Sequence, residues 1–233
     1  MPRNFNKDKL SNYSIYFDGS GDFIDGGSPS LFDDLTSFSF SCWFNSDIKS
    51  QDRGILGKWL SGTNRSFALN LETSGNIRFI VRSGGVAAQS YINTSDWSTG
   101  NWYNVIGTYD GSNVKLYLDG VLKDTVALTG TVDNATQSFR IGRYGSSLDF
   151  QGEISQVCFF DYELDSDQRT YLYNLNNPMA ITGAEPVAYW PLGDNSNPTA
   201  NAGYPNISVG ADSVFDFENT DEIIIPELSI SSE

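Results

Sequence analysis

The chain has 233 residues, 39% of them hydrophobic and 14% aromatic, which is enough apolar material for a packed core and too much for disorder throughout. It carries 14 basic against 29 acidic residues, a net charge of −15, and a field of that sign repels phosphate backbones and anionic membranes, so nucleic acid is set aside as a partner. With no histidine and two cysteines, the chain lacks the groups for a Ser-His-Asp or Cys-His pair, a zinc site or a disulfide framework.

The opening MPRNFNKDKLSNYS holds charge but no apolar run, so no secretory signal is expected and residues 1–12 read as an N-terminal arm. From Tyr13 onward the pattern alternates with period two. Phe38, Phe40 and Cys42 alternate with Ser39, Ser41 and Trp43. Phe67, Leu69 and Leu71 alternate with Ala68 and Asn70, and Ile77, Phe79 and Val81 with Arg78, Ile80 and Arg82. Such segments are strands with one apolar face. Asp18-Gly19, Ser74-Gly75-Asn76, Gly84-Gly85, Asp110-Gly111 and Asp119-Gly120 punctuate them as turns.

The clearest local element is the hairpin VKLYL-DG-VLKDT, because a two-residue Asp-Gly loop favours a type I′ turn. That turn predicts Leu118 opposite Val121, Tyr117 opposite Leu122 and Lys115 opposite Asp124, with Leu116 and Leu118 on one face. Helical spacing occurs once: Asp165 or Ser166 can cap a short helix near 166–175 carrying Tyr171, Leu172 and Leu175. Residues 176–204 turn rich in Asn, Pro, Gly and Ala but keep the apolar strand PVAYWPL. A last strand is expected at Ile223–Ile225, stopped by Pro226. The expectation is therefore an all-β protein, a two-sheet antiparallel jelly-roll sandwich with one short helical turn. Its core spans 13–175, and 176–233 supplies closing strands and an acidic tail packed on the same domain. No stretch is long and apolar enough to span a bilayer.

These motifs, in this order, resemble the laminin-G-like (concanavalin-A-like) jelly-roll family. SIYFDGSGDFIDGG (14–27) is similar to the family's opening strand and SFSFSCWF (37–44) to its next core strand; GILGKW (54–59) and FALNLETSGNIRFIVR (67–82) follow in order. GNWYNVIGTYDGSNVKLYLDGVLKDT (100–125) resembles the family's Trp-x-x-Val-x-x-Thr-Tyr-Asp-Gly segment and its Leu-Tyr-x-Asp-Gly hairpin. FRIGRYGSSLDFQGEISQVCFFDYELDSDQ (139–168) resembles the strand that usually reads Gly-x-Ile-Asp-Glu-Val. There the usual Asp-Glu is Ser155-Gln156, and the usual His after the first Trp of the central motif is Tyr103 or Asn104, so family roles at those positions do not carry over. The later segment AYWPLGDNSN (188–197) resembles segments of laminin-G-like proteins in marine bacteriophage virions.

Some glycanases of this architecture place two carboxylates on one strand. Here Glu153 has no second acid at i+2 or i+4, since Ser155 and Val157 stand there, and Asp161 and Glu163 lie beyond the strand. No catalytic residue is therefore assigned. For sugar binding, exposed loop aromatics are the candidates: Trp59, Tyr91, Trp97 and Tyr144. Trp43, Trp102, Tyr109 and Trp190 sit in strand patterns and read as core. Asp18, Ser20, Asp22 and Asp25 offer oxygens that suit a structural calcium ion, against the alternative of an aspartate-solubilised turn; no cofactor is otherwise required. Cys42 and Cys158 read as buried hydrophobes, with a disulfide open to them if their strands are neighbours.

What the resemblance implies is a virion structural or surface protein: a capsid decoration, head-fibre or tail-associated module, made in the host cytoplasm. Its expected partners are other virion proteins, further copies of itself and a host-surface glycan. A free-standing carbohydrate-binding lectin is the alternative, and a glycan-active enzyme of the same fold the third reading.

Overall fold

The computed structural model describes residues 14–27, 30–192 and the backbone of 222–224. In chain order the strands are β1 (Ile15–Asp18), β2 (Phe23–Asp25), β3 (Phe38–Ser46), β4 (Arg53–Trp59), β5 (Arg65–Leu71), β6 (Ile77–Ser83), β7 (Val86–Ile92) and β8 (Tyr103–Tyr109). They continue with β9 (Asn113–Leu118), β10 (Val121–Ala127), β11 (Arg140–Ile141), β12 (Arg143–Tyr144), β13 (Leu148–Asp149), β14 (Gln151–Phe160), β15 (Ala188–Trp190) and β16 (Glu222–Ile224). One helix, α1 (Ser166–Tyr173), lies between β14 and β15.

Two seven-stranded sheets form a sandwich. The first runs β1-β14-β3-β8-β9-β10, with β15 sharing the β14 edge beyond β1. The second runs β16-β2-β11-β4-β5-β6-β7. Among the described residues pairing is antiparallel except for the tail strand β16, which joins β2 in parallel at the edge, one residue earlier than the expected Ile223–Ile225. Pro226 and the arm over 1–12 lie outside the described residues.

Alternation sorts the side chains. Phe38, Phe40, Cys42 and Phe44 of β3, with Phe159 of the neighbouring β14, face Phe67, Leu69 and Phe79 of the second sheet in one continuous inter-sheet core. The rings interlock: Phe38 stacks on Phe159 at 5.5 Å, and Phe40 meets Phe79 edge-on at 4.9 Å. Burying each such side chain stabilises the fold by about 1.5–3 kcal/mol.

The middle of the first sheet's outer face is covered. Ile106, Tyr117, Cys158, Phe160 and Tyr189 form a second cluster with Leu164, Leu172 and Ile181 from α1 and its flanks. Trp43, on that face, stacks on Tyr173 of α1 at 6.1 Å. The helix starts where predicted because Asp165 accepts from the backbone N–H groups of Asp167 and Gln168, while Gln168 Oε1 accepts from Asp165 N.

Cys42 and Cys158 sit on neighbouring strands but on opposite faces of the sheet, one in each cluster, and both are free. The disulfide left open above is thus ruled out by facing rather than by strand distance.

The predicted Asp119-Gly120 turn has φ of 49° and 78° at its two central residues, as a type I′ turn requires. Leu118–Val121 and Tyr117–Leu122 pair as expected. Beyond them the register departs from the prediction: a bulge at Lys123 sets Asp124 opposite Leu116 and Thr125 opposite Lys115. Lys115 bonds instead with Asp110 at 2.8 Å and Glu163 at 2.7 Å. Because side chains alternate, the one-residue bulge moves Asp124 from the outer face, where Lys115 points, to the side that looks toward the other sheet.

A polar depression at the seam of the two sheets

The consequence of the bulge appears at the sandwich edge, where β10 of the first sheet meets β7 of the second. Asp124 Oδ2 accepts from the backbone N–H of Tyr91 at 2.9 Å, and its Oδ1 accepts from Thr125 N at 2.8 Å. One carboxylate thereby ties the edge strands of both sheets together.

Around this bond lies an open depression of about 530 Å³, lined by Glu72, Ser74, Asn76, Tyr91, Asn93, Lys123 and Asp124. Small-molecule sites run about 300–1,000 Å³. Three segments build it. The β5–β6 turn supplies Glu72, Ser74 and Asn76; it is closed by the Glu72 N to Asn76 O bond at 2.9 Å, and Gly75 takes φ of 85°. The end of β7 supplies Tyr91 and Asn93, and the bulge of β10 supplies Lys123 and Asp124. The Ile77–Ile92 pairing of β6 and β7 brings the first two segments side by side, and Asn76 Oδ1 accepts from Thr94 N at 2.9 Å.

The polar groups are held in place. Tyr91 donates its hydroxyl to Gln89 Oε1 at 3.0 Å. Gln89 Oε1 also accepts from Arg78 Nη1 at 3.2 Å, and that nitrogen is ion-paired with Glu72 Oε1 at 2.8 Å. Arg78 also donates through Nη2 to the Tyr144 hydroxyl at 3.2 Å and through Nε to Asn70 Oδ1 at 3.1 Å. Lys123 Nζ lies 3.2 Å from Asp96 Oδ1.

Of the four aromatics singled out from sequence, Tyr91 lines the depression, with its ring half-buried. Tyr144 and Trp59 lie together on the outer face of the second sheet, stacked at 6.3 Å, and Arg78 connects Tyr144 to the Tyr91 network. Trp59 is only 6% exposed, covered by Tyr144 and by the Arg65 guanidinium 5.4 Å from its ring centre. The β12–β13 hairpin that carries Tyr144 can lie on this sheet because Gly54 has no side chain: a Cβ there would sit 2.0 Å from Tyr144 N. Burial pushes the Tyr144 hydroxyl above its ordinary value of 10.0.

Trp97 does not join them. It is 3% exposed, its Nε1 donates to Gly75 O at 3.0 Å, and its ring packs edge-on against Phe44. It belongs to the core and holds the β5–β6 turn from beneath. Trp102, read as core, is half-buried instead. The remaining lining residues escaped the sequence reading because they come from three separate segments that only the strand pairing unites.

The other candidate groups are engaged elsewhere. Glu153 accepts from Ser14 Oγ at 2.7 Å and Asn45 Nδ2 at 3.3 Å. In the aspartate loop, Asp18 Oδ1 accepts from Ser20 N and Asp22 Oδ2 from Asp18 N, while Gly21 N donates to Asp149. Among the described residues no group of three or more Asp, Glu or Cys side chains stands together, and no helix is long and apolar enough to cross a membrane.

No curated protein sequence matches the chain. Among solved structures, a candidate carbohydrate-binding protein from Bacteroides ovatus superposes with a TM-score of 0.62 at 19% identity, over 81% of this chain and 53% of that one. The chain thus spans about half the length of that relative. The Ruminococcus gnavus sialidase module CBM40, solved with α2,3-sialyllactose, gives 0.55 at 16% identity, over 70% of this chain and 98% of the module. Domains LG4-5 of the mouse laminin α1 chain give 0.52 at 14%, over 64% and 41%. At these identities the likeness is one of fold. A family model matches residues 14–168, from the first described strand into α1, and the chain therefore belongs to the concanavalin A-like lectin/glucanases superfamily.

Proposed function

We propose that the protein binds glycans without altering them chemically, at the depression beside Tyr91, as a module displayed in many copies on a virion surface. The observation that carries the binding site is the company Tyr91 keeps. A half-buried aromatic ring stands in an open, polar hollow among two carboxylates, two amides, a hydroxyl and an ammonium. Sugars offer weakly apolar ring faces fringed with hydroxyls, and this lining matches both features. The carboxylates serve as fixed acceptors: Glu72 is held by Arg78, and Asp124 by two backbone amides. The descriptions of the Bacteroides and Ruminococcus proteins as carbohydrate-binding support the same reading.

The virion setting rests on the resemblance of residues 188–197 to phage virion proteins and on the acidic composition, which keeps crowded copies soluble. Attachment to other virion proteins and self-association belong to the same proposal. The binding reading is tested on a glycan array with the wild-type chain and Tyr91→Ala. Signal above background that falls at least about tenfold in the variant is expected, the loss of a buried aromatic contact. No signal for the wild type, or an unchanged signal for the variant, contradicts it.

A further inference from the structure

The charge pattern of the depression selects among glycans; this rests on the binding reading above and names its ligand class. Three ionised side chains line the hollow: Glu72, Lys123 and Asp124. Two cations bear on it, Lys123 in the lining and Arg78 beside Glu72, and each has a carboxylate partner. Arg78 is 2.8 Å from Glu72, and Lys123 is 3.2 Å from Asp96. Asp124 is engaged by the Tyr91 and Thr125 backbone amides, and no ion pair reaches it among the described residues. Three carboxylates thus stand against two cations, inside a chain whose net charge is −15.

We infer that the site takes neutral, hydroxyl-rich glycans and rejects acidic ones such as sialylated, uronic or sulfated chains. An anionic group would have to displace Asp96 from Lys123 or Glu72 from Arg78. It would then sit within a few ångströms of the unpaired negative charge on Asp124. A neutral sugar meets none of these obstacles. Its hydroxyls donate to Asp124 and Glu72, and the Asn76 amide, whose oxygen is held by Thr94, presents N–H donors to its ring and hydroxyl oxygens.

The pattern also identifies what enforces the exclusion. Asp96 lies in the exposed turn before Trp97, and its carboxylate neutralises the one ammonium that faces the hollow. Removing that carboxylate takes from Lys123 its ion pair and leaves only the through-space pull of Asp119, so the ammonium can receive an anion.

The test presents neutral oligosaccharides and their sialylated, uronic and sulfated counterparts side by side to the full chain, at low and at physiological ionic strength. Binding to neutral members, with acidic counterparts at least about tenfold weaker at low salt and the gap narrowing as salt screens the repulsion, is the expected result. Acidic counterparts bound as tightly as neutral ones overturn the charge selection and leave the glycan reading standing. Binding to neither class overturns both. Asp96→Asn is expected to raise acidic-glycan binding about tenfold, the scale of one near charge. A variant that still rejects acidic glycans contradicts the assignment of the exclusion to Asp96 and Lys123.

Discussion

The Asp124 carboxylate accepts from the Tyr91 backbone N–H at 2.9 Å and so joins the edge strands of two different sheets. The bond exists because of the bulge at Lys123. Without it, Asp124 would stand opposite Lys115 on the outer face of the first sheet, and the hollow beside Tyr91 would lose a wall. Bulges that re-aim a side chain at a site are a recurrent device of β proteins.

Asp124→Ala removes the acceptor and leaves the Tyr91 N–H without a partner in a half-buried position. A stability loss of about 1–3 kcal/mol is expected from urea denaturation, the cost of an unmet buried donor. A change below a few tenths of a kcal/mol would show that the seam does not depend on this bond.

Trp97→Ala separates core from site. With its ring in the inter-sheet core, the substitution is expected to cost about 3–5 kcal/mol. Tyr91→Ala, at a half-buried edge position, is expected to cost much less stability while removing glycan binding. Equal thermal shifts in the two variants would contradict this division of roles.

Stability should fall in acid through Asp110. Burial pushes its carboxyl up, but hydrogen bonds from Lys115 and from the Ser112 and Asn113 backbone outweigh it, and the net shift is downward from 3.8. A depressed carboxyl contributes stability that is present above its unfolded value and lost as pH falls through the lower, folded one. For Lys115 burial pushes down, but bonds to Asp110 and Glu163 prevail and raise it above 10.5; that contribution is present below 10.5 and lost only at higher pH. Lys115→Met should therefore lower stability at neutral pH by about 1 kcal/mol, the scale of a surface ion pair, and make the decline below pH 3.8 shallower. Parallel pH profiles for variant and wild type would contradict the coupling.

Both cysteines are buried, and burial pushes both thiols well above their ordinary value of 9.0. The reactive thiolate is scarce in the fold. Folded protein should resist alkylation, and oxidation should not crosslink Cys42 to Cys158, because the sheet lies between them. Mass spectrometry that finds an intramolecular disulfide in folded protein would contradict the assigned faces.

Much of this architecture was legible beforehand because period-two alternation and Asp-Gly turns are local signals. Phe38, Phe40 and Cys42 face the core as written in the sequence, and Asp119-Gly120 sets the hairpin's first two pairs. The bulge was not legible: Val-Leu-Lys-Asp-Thr reads as an unbroken strand, and the insertion shows only against the partner strand. Trp97 misled for a related reason. A tryptophan in a Ser-, Thr- and Asp-rich loop reads as exposed, yet the loop turns back and sends its ring inward to meet Gly75. The site's polar lining was hidden because residues 72–76, 91–93 and 123–124 are united by register, which composition does not disclose.

We propose that ligand meets the protein at the seam beside Tyr91. A two-dimensional ¹⁵N NMR titration with a neutral oligosaccharide found on the array tests it most directly. The backbone resonances of Asn76, Tyr91, Asn93, Lys123 and Asp124 are expected to move together and to saturate together. Shifts confined to the far edge of the first sheet, around Tyr16, Asn45 and Glu153, would place the glycan elsewhere and contradict the proposed site.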